Sequence, residues 1–466
     1  MGGSFGSINT ALSALRYHQV VMDTASGNIA NVSTDGYARR RVVGEAVGAP
    51  AVPAMWSRYE GSGDGVRVGS LDRMVDPLLD SRARREHGSQ AYLDTRVDVL
   101  ARLETGLGEP GGDGVSATLA EFGKAWHDLA NNPGSGAARS QVLAAAHAVA
   151  DALALQQRNV TTEEGDQRVA LLTDVAEVNT LASDLAATNE SIAAATLSGS
   201  DAGVLLDSRD QIALRLAELT GGTAVENGSG GLSFSVGGVS LVDGKQAGTL
   251  SITSGVNPDG SADGAAVSLA VTPPGGGATP VAGLGGEVGA VADLLTTTLP
   301  GHRQGLEAFA QQLADAMNTA HQAGYDAAGN PGGALFSVDP AAPGGPLVVL
   351  VTAGEQLAAS GVAGGPNQDG GNATALATAL KGPEGSYQQL VSGLGSAVAS
   401  TQRLAANQRT LTAQVDGARE QLSGVSLDEE MVTMLQAQRA YEAAARVMTT
   451  LDSVLDTLIN RTGLVR

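Results

Sequence analysis

Residues 426–459, near the C-terminus, read SLDEEMVTMLQAQRAYEAAARVMTTLDSVLDTLI and indicate the architecture of the chain. Its first four residues form a capping-box pattern. In such a box the Ser426 hydroxyl accepts a hydrogen bond from the Glu429 backbone N–H, and the Glu429 side chain reaches back to the cap. Apolar residues then recur four and three positions apart, which predicts a long helix beginning near Leu427.

Two apolar stripes run along this predicted helix. The first contains Leu427, Met431, Met434, Gln438, Tyr441, Ala445, Met448, Asp452, Leu455 and Ile459. The second contains Ala444, Val447, Leu451, Val454 and Leu458. Because one stripe is enough to pack against one partner helix, two stripes indicate neighbours on both sides, as in a helix pair inside a larger bundle.

The N-terminal end of the chain carries a similar pattern. Its seam contains Ile8, Leu12, Leu15, Gln19, Met22, Ser26 and Ile29. This spacing is typical of a coiled-coil seam, and the helix should end near Asn31, before the turn-forming sequence VSTDG at residues 32–36. Polar residues within both seams weaken an isolated pair. We therefore expect the terminal helices to be mobile in the monomer and to fold on assembly.

The apolar members of these seams are the predicted assembly interface. They are Ile8, Leu12, Leu15, Met22, Ile29, Leu427, Met431, Met434, Tyr441, Val447, Met448, Leu451, Val454, Leu455, Leu458 and Ile459.

The predicted fold is mainly α with an inserted β domain. Residues 1–40 with 424–466 should form a terminal helical domain in which the two ends of the chain pair. Residues 41–220 with 287–423 should form a helical middle domain, with short strands and loops in 326–383 and a helix break at residues 299–301. Alternating apolar segments separated by Gly, Asp and Pro turns predict a β-rich outer domain at residues 221–286.

Composition excludes several classes of function. The net charge of −21 argues against binding to nucleic acid, which rewards clustered Lys and Arg. The short basic runs at residues 39–41 and 82–85 are interpreted as solvated or ion-paired faces. No cysteine is present, so disulfides and thiolate metal sites are excluded. The N-terminus does not resemble a cleavable signal, and no apolar run approaches the roughly 20 residues that span a bilayer.

No pattern of catalytic or cofactor-binding residues emerges from the sequence. The six histidines form no HExxH zinc pattern, and no GxSxG motif is present. The glycines of residues 283–289 fit a return loop from the β domain better than a phosphate loop. Two pairs of carboxylates, Glu429 with Glu430 and Asp207 with Asp210, fall at predicted helix N-termini, where the helix dipole favours negative charge. The sequence therefore predicts a non-enzyme without metal or cofactor.

Both ends of the chain resemble the signatures of bacterial flagellar rod, hook and hook-associated proteins. The N-terminal match is NIANVSTDGY at residues 28–37, and the C-terminal matches are LDEEM at 427–431 and AQRAYEAAARV at 437–447. The signature positions are Asn28, Asn31, Ser33, Gly36, Tyr37, Asp428, Glu429, Gln438, Arg439 and Tyr441. Together they identify only the axial class.

Three internal features resemble one family within this class, that of the first hook-associated protein. The sequence LLDSRD at residues 205–210 resembles the family's LLD-x-RD motif, with Leu206, Asp207, Arg209 and Asp210 at the motif positions. Residues 299–326 resemble a later helical segment, and residues 455–463 resemble the family's C-terminal end. The resemblance does not reach the β insertion or residues 326–383.

The resemblance implies a structural adaptor between hook and filament. Its neighbours would be the hook protein, the second hook-associated junction protein and further copies of itself. It would be extracellular, reach the flagellum through the flagellar type III export apparatus with a cytoplasmic chaperone, and lack a cleavable signal. The family's terminal helices form the inner tubes of the axial structure. A hook or distal-rod protein is the alternative, and a secreted hydrolase on axial ends is a remote one.

Overall fold

Long helices make up most of the chain in the computed structural model, which describes residues 2–47, 65–109, 111–112, 114–227, 230–339, 345–364 and 369–460. A small β-rich insertion interrupts the helical part, so the predicted mainly α fold with an inserted β segment is confirmed. None of the described helices is both long and apolar enough to cross a membrane.

The two ends of the chain pair with each other. Helix α1 spans Gly2–Ala30 and helix α10 spans Leu427–Asn460. Because the last turn of α1 contacts the first turn of α10 through Asn28 and Glu430, the two helices run in opposite directions along each other.

A β-hairpin follows α1. Strands β1 (Arg40–Val47) and β2 (Gly65–Arg73) are antiparallel, with a bulge between Val43 and Gly44. The hairpin packs on α1, where the Val66 backbone N–H donates to Ser13 Oγ at 3.2 Å. No strand was predicted here, because most of the hairpin's side chains are at least partly exposed and its apolar alternation is weak.

Long helices build the middle of the molecule. They include α2 (Pro77–Leu107), α3 (Val115–Asn131), α4 (Gly136–Ser198), α5 (Gly203–Thr220) and α9 (Lys381–Ser423). Helix α4 has 63 residues and is therefore about 95 Å long at 1.5 Å per residue. The largest fully buried side chains of the core are Trp126 and Tyr387.

The β insertion contains two small sheets. Strands β3 (Thr223–Glu226), β4 (Leu232–Val236), β5 (Val239–Asp243) and β6 (Gln246–Ala247) form one sheet, and β7 (Thr249–Ser254), β8 (Ser268–Thr272) and β9 (Thr279–Val281) form the other. Two asparagines of α4 hold them. Asn189 bonds both backbone groups of Leu232, and Asn179 bonds both backbone groups of Leu250. The insertion is thereby fixed to the long helix.

The chain returns from the insertion through α6 (Gly286–Asp293), a π-helical turn (Leu294–Thr298) and α7 (Leu299–Gln322). The predicted break at residues 299–301 is wrong, because the helical path is continuous. Pro300 lies at the start of α7 directly after the wider π turn, where a missing N–H is tolerated. The remaining elements are β10 (Phe336–Val338), β11 (Leu347–Val349), a short 3₁₀ turn (Gly354–Gln356) and α8 (Gly371–Ala379).

Candidate assembly site

Small and polar residues form the buried seam between the terminal helices. Ala11, Ala25 and Asn28 of α1 are buried, as are Glu430 and Ala437 of α10. Ala11 and Ala25 lie about four helical turns apart and therefore on nearly the same face. Small side chains allow two helix backbones to approach closely. Neither alanine of α1 was predicted to be in the seam, because the seam was assigned from the larger apolar residues.

The larger apolar residues of the predicted interface remain partly accessible. Partial exposure is found for Ile8, Leu12, Leu15, Met22, Ile29, Met434, Tyr441, Met448, Leu451 and Leu455. Leu427, Met431, Val447 and Val454 are exposed, as are Val432 and Leu435, which were not predicted. The side chains of Leu458 and Ile459 lie outside the described part of the chain. The pair thus covers one face of each helix and leaves apolar surface for neighbours.

Asn28 joins the two ends of the chain in a network of side chains and backbone. Its Nδ2 donates to Glu430 Oε2 at 3.0 Å and to the Arg40 carbonyl at 2.9 Å. Its Oδ1 accepts from the Tyr37 hydroxyl at 2.8 Å and from the Arg40 backbone N–H at 3.0 Å. Asn28 is 1% exposed, its bond to Glu430 is buried, and its other three bonds are partly buried. This explains why an asparagine stands at this signature position.

Arg39 connects the segment after α1 to the start of α10 and to the chain segments that contain Met74 and Ser423. Its Nε donates to Glu430 Oε1 at 2.7 Å, and its Nη1 donates to Glu429 Oε2 at 2.8 Å. The Arg39 N–H donates to the Ser423 carbonyl at 2.9 Å, and the Arg39 carbonyl accepts from the Met74 N–H at 2.8 Å. Residues 37–40, 73–76 and 423–426 therefore run side by side, and we call them the neck.

The predicted capping box at the start of α10 is only half formed. The Glu429 N–H lies 3.5 Å from Ser426 Oγ, as expected for the first half. The Glu429 carboxylate binds Arg39 and makes no bond back to the cap among the described residues. Glu429 therefore serves the neck rather than the helix end.

The internal LLDSRD motif meets the neck from the side of the middle domain. Asp207 accepts from Arg73 at 2.8 Å and from Arg40 at 3.4 Å, and Asp210 accepts from Arg73 at 2.9 Å. Burial raises the pKa of Asp207, and the adjacent guanidinium groups of Arg73 and Arg40 oppose part of that rise. Interpreting this carboxylate pair through the helix dipole alone was incomplete, because both carboxylates are ion-paired.

Arg209 extends the network to the β insertion. Its guanidinium binds Asp210 at 2.8 Å, Glu226 at 3.0 Å and the Gly230 carbonyl at 2.7 Å. Leu206, the remaining motif position, is partly buried beside them. Side chains from the N-terminal, internal and C-terminal signatures thus meet in one place. We call Asn28, Tyr37, Arg39, Arg40, Arg73, Asp207, Asp210, Glu429 and Glu430 the polar hub.

Gly36 shapes the turn that leads from α1 into the neck. Its φ is 73°, and a Cβ at this position would lie 2.2 Å from Gln211 Nε2. Gln211 Nε2 in turn donates to the Asp35 carbonyl. The left-handed backbone conformation therefore favours glycine here, and a Cβ would also displace the Gln211 side chain.

The other signature positions are not in the hub. Asn31 bonds the Gly27 carbonyl within α1, while Ser33, Gln438 and Arg439 are exposed. Arg39, Arg40, Arg73 and Glu430 belong to the hub but were not predicted as site residues. For Arg39 and Arg40, the only indication from the sequence was that the basic run at residues 39–41 was interpreted as solvated or ion-paired. Among the described residues, no group of three or more His, Asp or Glu side chains could hold a metal ion.

Three protein-family models match the chain. The family described as flagellar hook-associated protein FlgK helical domain matches residues 100–336. The family described as flagella basal body rod protein matches residues 8–37, and flagellar basal body rod FlgEFG protein C-terminal matches residues 420–461. The two rod matches cover α1 and α10, and the helical-domain match covers most of the middle domain and the insertion.

Curated relatives match over nearly the whole chain. Flagellar hook-associated protein 1 of Bacillus subtilis (strain 168) is 31% identical over 99% of this chain and 99% of its own length. The protein of the same name from Escherichia coli (strain K12) is 22% identical over 97% of this chain and 99% of its own length. A solved structure titled the flagellar hook junction protein FlgK from Burkholderia pseudomallei shares the fold, with a TM-score of 0.63 and 16% identity. The match covers 74% of this chain and 100% of that one.

Proposed function

Because this chain belongs to the family of flagellar hook-associated protein 1, we propose that it is a structural subunit that joins the flagellar hook to the filament. The family is one of structural flagellar proteins, so the chain is a component of the bacterial flagellum. The observation that carries the proposal is the match to a hook-associated protein 1 over 99% of both chains.

The mechanism we propose is mechanical. Helices α1 and α10 bury a seam of small residues between them and expose apolar side chains on their outer faces. Neighbouring copies cover these faces, and repeated contacts between non-identical patches extend into a tube. The proposed interface consists of the sixteen residues predicted from the two seams, together with Val432 and Leu435.

The middle domain and the insertion surround this axial part in our proposal. Residues 1–40 with 424–466, 41–220 with 287–423, and 221–286 are the three proposed domains. Strands β1 and β2 contact α1, and this contact favours including the two strands with the axial part.

We also propose specific partners for this chain. They are the hook protein on one side, the second hook-associated junction protein on the other, and a cytoplasmic chaperone with the flagellar type III export apparatus before assembly. We propose export without a cleavable signal peptide. Immunolabelling of intact flagella with antibody against this chain should stain the hook–filament boundary, and stain elsewhere along the axis would overturn the proposal.

The alternative of a hook or distal-rod protein is less well supported. The rod-type models match only the terminal residues 8–37 and 420–461, whereas the hook-associated helical domain matches residues 100–336. We also propose that the chain has no hydrolytic activity. A peptidoglycan or casein hydrolysis assay with the purified chain tests this, and turnover above a buffer control would contradict it.

A point variant tests the terminal interface against a matched control. Leu435 of α10 is 50% exposed and Leu404 of α9 is 54% exposed, so each can be replaced without disturbing a buried core. Leu435→Glu should reduce the amount of protein at the hook tip and release filament subunits into the medium, while Leu404→Glu should attach normally. Equal behaviour of the two variants would refute the role of α10.

A further inference from the structure

A cleft opens beside the neck, between β2 and the start of α2 on one side and α5 with β3 on the other. Its volume is about 760 Å³. The floor includes Arg73 and Asp210 of the polar hub, together with Arg84 of α2. The cleft is thus continuous with the part of the molecule that anchors the axial helices.

Four of the most exposed large apolar side chains of the described residues belong to the segments that form this cleft, although they do not line it. Leu197 is 89% exposed and Leu78 is 83% exposed, while Val204 and Val225 are each 67% exposed. Each lies within two residues of a position that lines the cleft. The cleft itself is lined by the apolar residues Leu71, Val75, Leu206 and Leu232, which come from separate segments, so an apolar side chain of a partner protein can be buried there.

Arg84 is the unpaired cation of this cleft. Burial lowers the pKa of Arg84, and the nearby carboxylates of Asp210 and Asp80 oppose that effect. Those carboxylates already bind other arginines, since Asp210 contacts Arg73 at 2.9 Å and Asp80 contacts Arg419 at 2.8 Å. Within the described residues, the Arg84 guanidinium has no hydrogen bond or ion pair. It therefore favours a carboxylate brought by a partner.

The start of α10 has the complementary chemistry. Leu427, Met431 and Leu435 are 46%, 50% and 50% exposed and follow one another at intervals of four residues. At 100° per residue, Asp428 points between Leu435 and Val432 on the same helix surface. Asp428 is exposed and has no ion pair among the described residues. It is an uncompensated carboxylate surrounded by apolar side chains.

The cleft and the start of α10 lie at the same level of the molecule. A second cleft, of about 840 Å³, is lined by Ser426 and Glu429 at the start of α10 and shares Arg73 and Asp210 with the first. The two surfaces are therefore neighbouring faces of the neck. A lateral neighbour could present one face to the other without a change in axial height.

We propose that the cleft around Arg84 receives the first turns of α10 from a second copy of this chain, with Asp428 of that copy paired to Arg84. The contact is heterologous, because the two patches differ and each copy carries both, so it propagates around or along a tube rather than closing a dimer. The inference rests on the proposed function and deepens it, since it names the lateral contact of the assembly.

Charge reversal tests the pairing on intact flagella. Arg84→Glu and Asp428→Arg should each lower the protein bound at the hook–filament boundary by about tenfold or more, because each leaves like charges facing one another at the contact. The double variant Arg84→Glu/Asp428→Arg restores opposite charges in every contact and should recover binding to within about twofold. Losses that persist in the double variant would overturn the pairing.

Cysteine cross-linking gives a readout that does not depend on charge. The chain has no cysteine, so introduced thiols have no native background. Ser81→Cys lies in the cleft and Leu427→Cys lies at the start of α10. Flagella assembled from a mixture of the two single variants should give disulfide-linked dimers on oxidation, and flagella with either variant alone should not. Absence of mixed dimers would overturn the proposal.

The two levels of inference fail in distinguishable ways. Wild-type protein absent from the hook–filament boundary would overturn the proposed function. Wild-type protein present there, with charge effects that are not mutually corrected and no mixed dimers, would overturn only the contact between the cleft and α10.

Discussion

Replacing Asn28 should release the two ends of the chain from each other. Asn28→Ala removes the amide that bonds Glu430, both backbone groups of Arg40 and the Tyr37 hydroxyl. The groups left behind are largely screened from water, so the lost bonds are only partly replaced. The change therefore acts on the polar hub rather than on the volume of the core.

The magnitude follows from the kinds of bond. The bonds to Arg40 and Tyr37 are between neutral groups, at about 1 kcal/mol each, and the bond to the Glu430 carboxylate contributes about 2 kcal/mol. Only the Glu430 bond joins α1 to α10, whereas the bonds to Arg40 and Tyr37 hold the end of α1 on the neck. Allowing for water that enters the space, the free energy of detaching α1 from both α10 and the neck should fall by about 3–5 kcal/mol. At 1.4 kcal/mol per factor of ten, this corresponds to an increase in opening of about a hundredfold to a few thousandfold.

Hydrogen exchange on the purified monomer measures this opening. It also tests the predicted mobility of the terminal helices, since strong protection of α1 in the wild-type monomer would contradict that prediction. Backbone amides of α1 and α10 should exchange faster in Asn28→Ala, with little change in α4 or the β insertion. The matched control is Asn31→Ala, in the same signature. Among the described residues, the Asn31 side chain bonds Gly27 and Thr34, which are both close to it in the sequence. The control should change exchange by less than about tenfold, because its bonds are local and partly exposed.

A charged replacement separates hydrogen bonding from charge. Asn28→Asp keeps an acceptor for Tyr37 and the Arg40 N–H but places a second carboxylate within reach of Glu430. The two like charges repel at neutral pH and can share a proton in acid. The protection of α10 amides, taken relative to the intrinsic exchange rate at each pH, should therefore rise between about pH 7 and pH 5 in this variant only. Exchange in Asn28→Ala within tenfold of wild type would falsify the central role of the hub.

Three further perturbations act elsewhere in the molecule. Gly36→Ala should lower the free energy of unfolding by about 1–2 kcal/mol in urea denaturation, since φ is 73°. In the control Gly27→Ala, the added Cβ has nothing within 4 Å and should stabilise α1 by about 0.5–1 kcal/mol. The reverse order of the two stabilities would exclude backbone strain at the turn. Burial lowers the pKa of His321 below 6.5, so the contribution of His321 to stability is complete above that pH and is lost as the pH falls. The urea midpoint should therefore decline less between about pH 7.5 and 5 in His321→Gln than in the wild type. Parallel declines would contradict this. Tyr387→Phe leaves the buried Gln156 amide without its hydroxyl partner and should cost about 1–2 kcal/mol; an unchanged urea midpoint would show that the bond contributes nothing.

Periodicity alone was enough to predict the terminal helices. The seam from Ile8 to Ile29 lies within α1, and the capping pattern at Ser426 marks the start of α10. The alternation in Leu232–Val236 predicted a strand with alternate residues buried. These features are local, so a single segment of sequence contains the information.

The polar hub could not be predicted in the same way. Asn28 and Glu430 are 402 residues apart, and nothing near either residue indicates the other. The resemblance identified Asn28, Asp207 and Asp210 as important positions without saying that the neck brings them together. Arg73 was missed entirely, because its role depends on a hairpin whose exposed strands carry a weak pattern.

The alanine seam shows a second limit. Ala11 and Ala25 are buried while Leu12 and Leu15 are only partly covered. Hydrophobicity ranks leucine above alanine as a core residue, so the seam was assigned to the larger side chains. The closest contact between two helices is instead set by the smallest residues, and the larger ones remain available for other copies.

The pairing of the first helix with the last also constrains the order in which the molecule can mature. Asn28 is synthesised 402 residues before Glu430, so α1 can pack on the strands that follow it but cannot pair with α10 until synthesis is almost complete. A truncated product that has lost its tail can never close this pair. Only a chain that includes α10 can therefore form the surface through which we propose that copies join.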